Sequence, residues 1–356
     1  MRRIIQLTLF LSMFLLAFLA LDYYIFNRLG TLLSISQVII TALIIVFTLA
    51  YPVASILEST VSNGFTRIIY TLSAAWLGIA ISLLYTLIAY EIVNFVFQIP
   101  PFTAGIAVLI IAAVISAYSI INSLNLNVKE IEIRIPNLER EMRIVQLSDT
   151  HIGPIRNSGF MKEIVKKTEA LDPDVVLITG DLVEGTVGLH PSMFDSINKL
   201  EAPVLFITGN HDMYEGLESV FEVLKTTKIR IMNDEIIEFK GLQIVGVNYS
   251  YEFNRLKKVL SQLDIDKSKP SLLMYHVPTE IEAANEAGIN LQLSGHTHKG
   301  QMFPFNFLGR LFFRYFNGLY NYNGTQLYVS PGTGTWGPPM RSGSKSEITL
   351  INLKKK

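Results

Sequence analysis

The sequence predicts two folds in series: an all-α membrane region of four transmembrane helices over residues 1–125, then an α/β domain over residues 126–356. Three observations predict this. Only seven of the sixty Lys, Arg, Asp and Glu residues fall in the first 125 positions, namely Arg2, Arg3, Asp22, Arg28, Glu58, Arg67 and Glu91. The other 53 lie among the last 231 residues, about 23%, which is the ordinary proportion for a soluble domain. Apolar runs long enough to cross a bilayer end near residue 121, and beyond it short β-rich runs alternate with amphipathic stretches. A single soluble domain is excluded. The balance of 30 basic against 30 acidic residues argues against nucleic acid, which needs a concentrated basic face. The lack of cysteine removes disulfides and thiolate metal sites.

A bilayer core about 30 Å thick needs about 20 apolar residues in a helix. Runs at residues 4–26, 32–57, 68–97 and 102–121 meet that length. Buried core helices would carry polar outer faces, which these runs lack. The first run follows Arg2-Arg3 as a secretory signal would, but no small-x-small cleavage pattern precedes Asp22, so it reads as a retained span. With the N-terminus inside, seven of the eight flanking basic residues lie inside and only Arg28 outside. The positive-inside rule therefore predicts a multi-pass cell-membrane protein whose α/β domain is cytoplasmic. Asp22 and Glu91 sit beside tyrosines towards the ends of their runs. Interfacial anchoring is the expected role, since an ion path needs more polar partners.

From residue 126 onward, strands are predicted at 142–147, 175–179, 204–208, 242–247, 271–275, 290–293, 326–329 and 347–351. Helices are predicted at 160–171, 191–200, 217–225 and 279–287, so the domain is α/β with a substantial core. Several strands end in a turn bearing Asp, Asn or His: Asp149-Thr150-His151, Gly180-Asp181, Gly209-Asn210-His211-Asp212, His276, and Gly295-His296-Thr297-His298. The carboxyl ends of strands are where α/β sites assemble. Five of the six histidines fall in these turns; His190 does not and reads as structural. Gathering so many polar groups is costly unless they coordinate something. Nitrogen and oxygen donors alone suit manganese, iron or zinc, and seven donors exceed one tetrahedral site and fit two ions sharing a carboxylate.

These turns, in this order, resemble the calcineurin-like metallophosphoesterase superfamily, whose motifs run Asp-x-His, Gly-Asp, Gly-Asn-His-Asp/Glu, His and Gly-His-x-His. Gly300-Gln301, Tyr328-Val329-Ser330, Trp336-Gly337-Pro338-Pro339 and Arg341 are similar to its bacterial membrane-associated branch. The wider superfamily also includes UDP-diacylglucosamine hydrolases. The resemblance covers residues 143–352 and implies an αββα sandwich of two mixed sheets flanked by helices. It implies one metal on Asp149, His151, Asp181 and His298 and a second on Asp181, Asn210, His276 and His296, with His211 beside the pair. Three positions depart from the branch: Lys299 before Gly300, Thr279 after His276-Val277-Pro278, and Ser330 before Pro331-Gly332. They bear on substrate and leave the reaction class alone. Lys299 reads as a phosphate contact or as a solvent-exposed cation.

The implied activity is hydrolysis of a phosphate ester or pyrophosphate by metal-activated hydroxide. Two ions about 3.5–4 Å apart clamp phosphate oxygens and lower the pKa of bound water. The leaving alkoxide needs a proton, for which His211 is the candidate catalytic residue; Asp212 either orients it or faces away as a surface or cap residue. A non-enzymatic receptor that binds phosphate-bearing ligands through its metals is the alternative. A transporter regulated by its soluble domain would need more polar residues in the spans. The Gly-rich segment 332–337 lacks the lysine of a phosphate-binding P-loop and reads as a turn. Residues 302–322 carry nine aromatics with Arg310 and Arg314, either a core-packed hairpin or an interfacial patch. The second reading favours a lipid or lipid-linked substrate.

Overall fold

The computed structural model describes residues 2–185 and 188–356, with side chains from residue 12 onward. The side chains of Arg2 and Arg3, on which the orientation partly rests, lie outside that range. Residues 1–121 with 337–340 form one compact unit, and residues 122–336 with 341–356 form another.

The first unit contains helices α1 (Arg2–Leu33), α2 (Gln37–Val61), α3 (Gly64–Phe97) and α4 (Pro101–Leu124), all long and apolar enough to cross a membrane. Helices α1 and α3 overrun the predicted spans, because apolarity delimits a span whereas helical hydrogen bonding continues into the polar flanks. Asn63 starts α3 with a capping box: its side chain accepts the Thr66 amide at 3.0 Å, and the Thr66 hydroxyl accepts the Asn63 amide at 2.9 Å. Asp22 does not reach an interface as the sequence reading expected. It is buried, accepting hydrogen bonds from Thr48 Oγ1 on α2 at 3.0 Å and Trp76 Nε1 on α3 at 3.1 Å. Beside it, Phe26, Phe47 and Trp76 stack. Glu91 is partly exposed and pairs with Arg28, joining α3 to α1.

The second unit comprises β1 (Leu126–Ile135), β2 (Met142–Leu147), α5 (Ser158–Glu169), β3 (Val175–Thr179), β4 (Val204–Ile207), α6 (Asn210–Glu215), α7 (Leu217–Leu224), β5 (Ile229–Ile231), β6 (Glu235–Phe239), β7 (Leu242–Val247), α8 (Arg255–Leu260), β8 (Ser271–Tyr275), α9 (Ile281–Glu286), β9 (Leu291–Ser294), α10 (Phe305–Leu308), β10 (Gly318–Tyr322), β11 (Thr325–Val329) and β12 (Ser346–Lys355). Two mixed six-stranded sheets result, in the orders β1-β12-β2-β3-β4-β5 and β10-β11-β9-β8-β7-β6. Within the first, β2 through β5 run parallel; within the second, β7, β8, β9 and β11 do.

Period-two alternation builds the layers. Met142, Ile144, Val175 and Leu177 face one way and pack with Ile244, Leu272, Met274 and Leu293 of the other sheet. Their neighbours Val145, Leu147, Val176 and Ile178 pack outward with Ile164 of α5 and Val220 of α7. On the far side, Val245, Val247 and Leu273 pack with Leu256 of α8 and Ala284 of α9. Both faces of each sheet are thus covered, giving the helix–sheet–sheet–helix sandwich that the resemblance implied. Burial on both faces explains why the inner strands read as continuous apolar runs.

Differences from the predicted elements have local causes. Strand β1 escaped because Lys129, Glu130, Glu132 and Arg134 interrupt it; its central residues are largely solvent-facing and it lies at a sheet edge. The predicted helix at 191–200 is instead two 3₁₀ turns, Pro191–Met193 and Asp195–Lys199. Pro191 and the polar residues Ser192, Asp195 and Asn198 favour short turns over an α-helix. His190 caps the first of them, accepting the Ser192 amide at 3.3 Å, a structural task.

Candidate metal centre

Strands β2, β3 and β4 of one sheet and β8 and β9 of the other deliver their carboxyl-terminal turns to one place. Asp149 and His151 follow β2, Asp181 follows β3, Asn210 opens α6 after β4, His276 follows β8, and His296 and His298 follow β9. The donor atoms of Asp149, His151 and His298 lie within 4.8 Å of one another, as do those of Asp181, His276 and His296. His151 Nε2 and His298 Nε2 are 3.0 Å apart, and Asp149 Oδ1 is 3.4 Å from the latter. In the other group, Asp181 Oδ2 is 3.1 Å from His276 Nε2, and Asn210 Oδ1 is 2.9 Å from His296 Nδ1. Asp181 Oδ2 is also 4.0 Å from His151 Nε2, so it faces both groups.

The backbone at these turns is unusual. Asp149, His151, Asp181, His296 and His298 all have positive φ, between 48° and 71°. Each such residue costs of order 1–3 kcal/mol, and such strain collects at functional sites. Glycines make room for the turns. At Gly180, whose φ is +93°, a Cβ would fall 2.6 Å from His276 Nδ1; at Gly209 it would fall 2.5 Å from the Asp181 amide nitrogen.

A second layer fixes the donors. The Nδ1–H of His276 donates to the Thr179 carbonyl at 2.9 Å, which turns its Nε2 towards Asp181. Asp149 accepts the His296 amide at 3.0 Å, and Asp181 Oδ1 accepts the His211 amide at 2.8 Å. Asp212 is fully buried and does not orient the His211 ring or face solvent. Its carboxylate accepts the amides of Gly209, Asp181, Leu182 and Val183 at 2.7, 2.9, 3.0 and 3.1 Å, capping α6 and clamping the Asp181 turn. The His211 ring is held instead by the Glu184 main chain, whose carbonyl accepts from Nδ1 at 2.6 Å. Glu184 is a site residue that the motif reading missed; its carboxylate lies 3.4 Å from His151 Nδ1. An acid three positions after Asp181, in the same strand-end turn, was the available signal.

Burial opposes charge throughout the cluster. Asp181 and His276 nevertheless hold one another ionised: the carboxyl lies well below its ordinary range, and the imidazole is pushed up to about 9. Burial brings His296 down to about 3 and His298 well below the ordinary imidazole value. Both are therefore neutral, the form that coordinates a cation. Asp149 and Asp181 are buried, and among the described residues no lysine or arginine lies within ion-pair distance of either. Two buried carboxylates facing imidazole nitrogens, without a lysine or arginine of their own, fit a pair of divalent ions in chemistry and number.

Aromatic rings surround the cluster. Phe313 meets His296 edge-on at 5.7 Å, Tyr249 meets His276 at 6.4 Å, and Tyr214 and Trp336 meet His211 at 5.1 and 6.0 Å. Lys299 is half-buried on a left-handed backbone.

Residues 142–300 match the family model described as calcineurin-like phosphoesterase. An uncharacterized metallophosphoesterase of Helicobacter pylori is 36% identical over 237 residues, 64% of this chain and 63% of its own length, so the chain spans less than two thirds of that relative. A Campylobacter jejuni counterpart is 33% identical over 263 residues, 70% of this chain and 69% of its own. A zebrafish protein named as a transmembrane protein with metallophosphoesterase domain is 34% identical over 277 residues, 71% and 63%. With the family match spanning the strand-end turns described above and a relative 33% identical covered over 69% of its length, the chain belongs to the calcineurin-like phosphoesterase family.

Proposed function

We propose that the chain is a membrane-anchored two-metal phosphoesterase that hydrolyses a phosphate ester or pyrophosphate bond. The observation that carries this reading is the convergence of the groups Asp149/His151/His298 and Asp181/His276/His296 at the strand ends of both sheets. We assign Asp149, His151, Asp181 and His298 to one ion and Asp181, Asn210, His276 and His296 to the other, with Asp181 shared. Manganese, iron or zinc suits this donor set, and such ions, when bound, supply Lewis acidity and a nucleophile at neutral pH.

The remaining residues position and protonate. His211 is assigned as the proton donor to the leaving oxygen. Its Nδ1–H is committed to the Glu184 carbonyl, which leaves Nε2 as the exchanging nitrogen. Burial and the neighbouring His151 hold its pKa below the ordinary imidazole value, which makes its protonated form a stronger acid and a smaller population at neutral pH. The aromatic rim of Phe313, Tyr249, Tyr214 and Trp336 supports a substrate whose phosphate carries a bulky apolar group, a lipid or lipid-linked phosphate. In this reading residues 1–125 are a multi-pass anchor and residues 126–356 the phosphoesterase domain, and the basic flanks of the spans support a cytoplasmic position for that domain.

The test is turnover by the full chain in detergent, with manganese, of an aryl phosphate, an aryl phosphodiester and a phospholipid phosphomonoester. Metal-dependent hydrolysis that a chelator abolishes is expected. Tight metal binding with no turnover of any ester would favour a phosphate-binding receptor instead.

A further inference from the structure

We propose that residues 303–314 form a docking element that seats on the surface of an anionic lipid bilayer. Within ten positions, Phe303, Phe305, Phe307, Leu308, Leu311 and Phe312 all present large apolar side chains to the outside, Leu311 being 78% exposed and Phe312 81%. Large apolar side chains scattered singly over a surface need no explanation, but a contiguous run does.

The ridge is firmly held. Met302 and Phe316 at its two ends are buried, Thr297 Oγ1 donates to the Phe316 carbonyl at 2.7 Å, and the Phe303 amide donates to Ser342 Oγ at 2.9 Å. The turn packs on Phe316 so closely that a Cβ on Gly309 would lie 2.5 Å from its Cζ. A built scaffold therefore holds the apolar side chains outward.

Charge selects the occupant. Residues 302–322 contain no Asp or Glu but carry Arg310 and Arg314. Arg310 is exposed and forms no ion pair among the described residues, while Arg314 pairs with Glu282 at 3.1 Å and lies over Tyr315. Aromatic and leucine side chains with interspersed arginines match the boundary between acyl chains and anionic headgroups. The same chain carries four helices long and apolar enough to cross a membrane, and only Asn125 separates α4 from β1, so a bilayer is always within tethering distance. Interfacial residues and a tether together supply the two signals that stable membrane engagement needs. Phe313, next to the ridge, touches His296 of the metal cluster, which puts the docked face one side chain from the chemistry. The inference does not rest on hydrolytic activity.

Because the chain lacks cysteine, single-cysteine labelling is unambiguous. A fluorophore is attached to Leu311→Cys, or to Lys225→Cys as a remote exposed control, in the full chain reconstituted in phosphatidylcholine–phosphatidylglycerol vesicles. Docking predicts that the Leu311 label is quenched by lipids bearing a nitroxide and protected from aqueous iodide, while the Lys225 label shows the opposite. Adding Arg310→Ala should lower the docked fraction about fivefold in anionic vesicles and leave it unchanged in pure phosphatidylcholine. A Leu311 label that iodide reaches as easily as the control overturns the proposal. So does one shielded from both quenchers, because protein then covers the ridge.

Discussion

Asp22 and Asp181 are each 1% exposed, yet the two parts of the molecule treat a buried carboxylate differently. In the helical unit, Asp22 accepts from a threonine hydroxyl and an indole N–H, and Glu58 accepts from Ser62 and Thr66. Neutral donors from other helices answer Asp22, and Glu58 adds an ion pair with Arg67 at 3.5 Å, so partners within the unit satisfy each carboxylate and tie its helices together. At the strand ends, Asp181 spends Oδ1 on one backbone amide and turns Oδ2 to imidazole nitrogens on both sides. Asp149 likewise faces His298. The first arrangement is complete in itself; the second is arranged for a cation. Burial of an acid therefore says little about function until its partners are counted.

The sharpest way to break that contrast is to neutralise one acid of each kind. Asp181→Asn should lower turnover of an aryl phosphate by about 10³-fold, because it removes the charge shared by both donor groups. Asp22→Asn should leave turnover and bound metal unchanged. Equal losses in the two variants would erase the distinction.

His211→Ala comes next. It should keep its metal but lose about 10²–10⁴-fold in turnover on an ester with a poor leaving group, and far less on an aryl ester. Uniform loss on both, or none on either, would remove His211 from the proton transfer.

Acid–base linkage gives a third test. In the metal-free chain His276 is raised from 6.5 to about 9 beside Asp181. That ion pair contributes stability that is fully present below pH 6.5 and lost as pH rises through about 9. A metal ion must displace the same proton. Apparent metal affinity should therefore rise about tenfold per pH unit from 7 towards 9, with proton release measurable in weakly buffered calorimetry. A flat profile over that range would contradict the assignment of His276.

Asp212→Asn tests the clamp. One carboxylate accepts four buried amides, and replacing an oxygen by an NH₂ group faces donor against donor. The expected cost is about 2–4 kcal/mol, read as a lowered Tm of the unit in the presence of chelator. Asp22→Asn should cost less, about 1 kcal/mol, as hydrogen bonds within helical membrane bundles do.

What the sequence disclosed follows from the range of each interaction. The strand-end donors were legible because Asp149-Thr150-His151, Gly209-Asn210-His211 and His296-Thr297-His298 each pack their chemistry into three or four consecutive positions. The inner strands were legible because burial on both faces leaves unbroken apolar runs such as Val175–Thr179. Strand β1 was hidden because its partner β12 lies more than 200 positions away and its exposed face is charged. The burial of Asp22 was hidden because its donors are 26 and 54 residues distant, on other helices. The cap by Asp212 was legible, with Gly209 three positions away, but its clamp on the Asp181 turn was hidden for the same reason. That clamp holds amides some 30 residues earlier, which no local pattern announces.

On the proposed assignment the strand-end donors hold two ions through a shared Asp181. Elemental analysis of the purified full chain, after loading with manganese and removal of free metal, tests it most directly. Two ions per chain are expected, falling below one in Asp181→Asn while Asp22→Asn keeps two. A wild-type chain that retains no divalent metal, or an Asp181→Asn chain that still holds two, would contradict it.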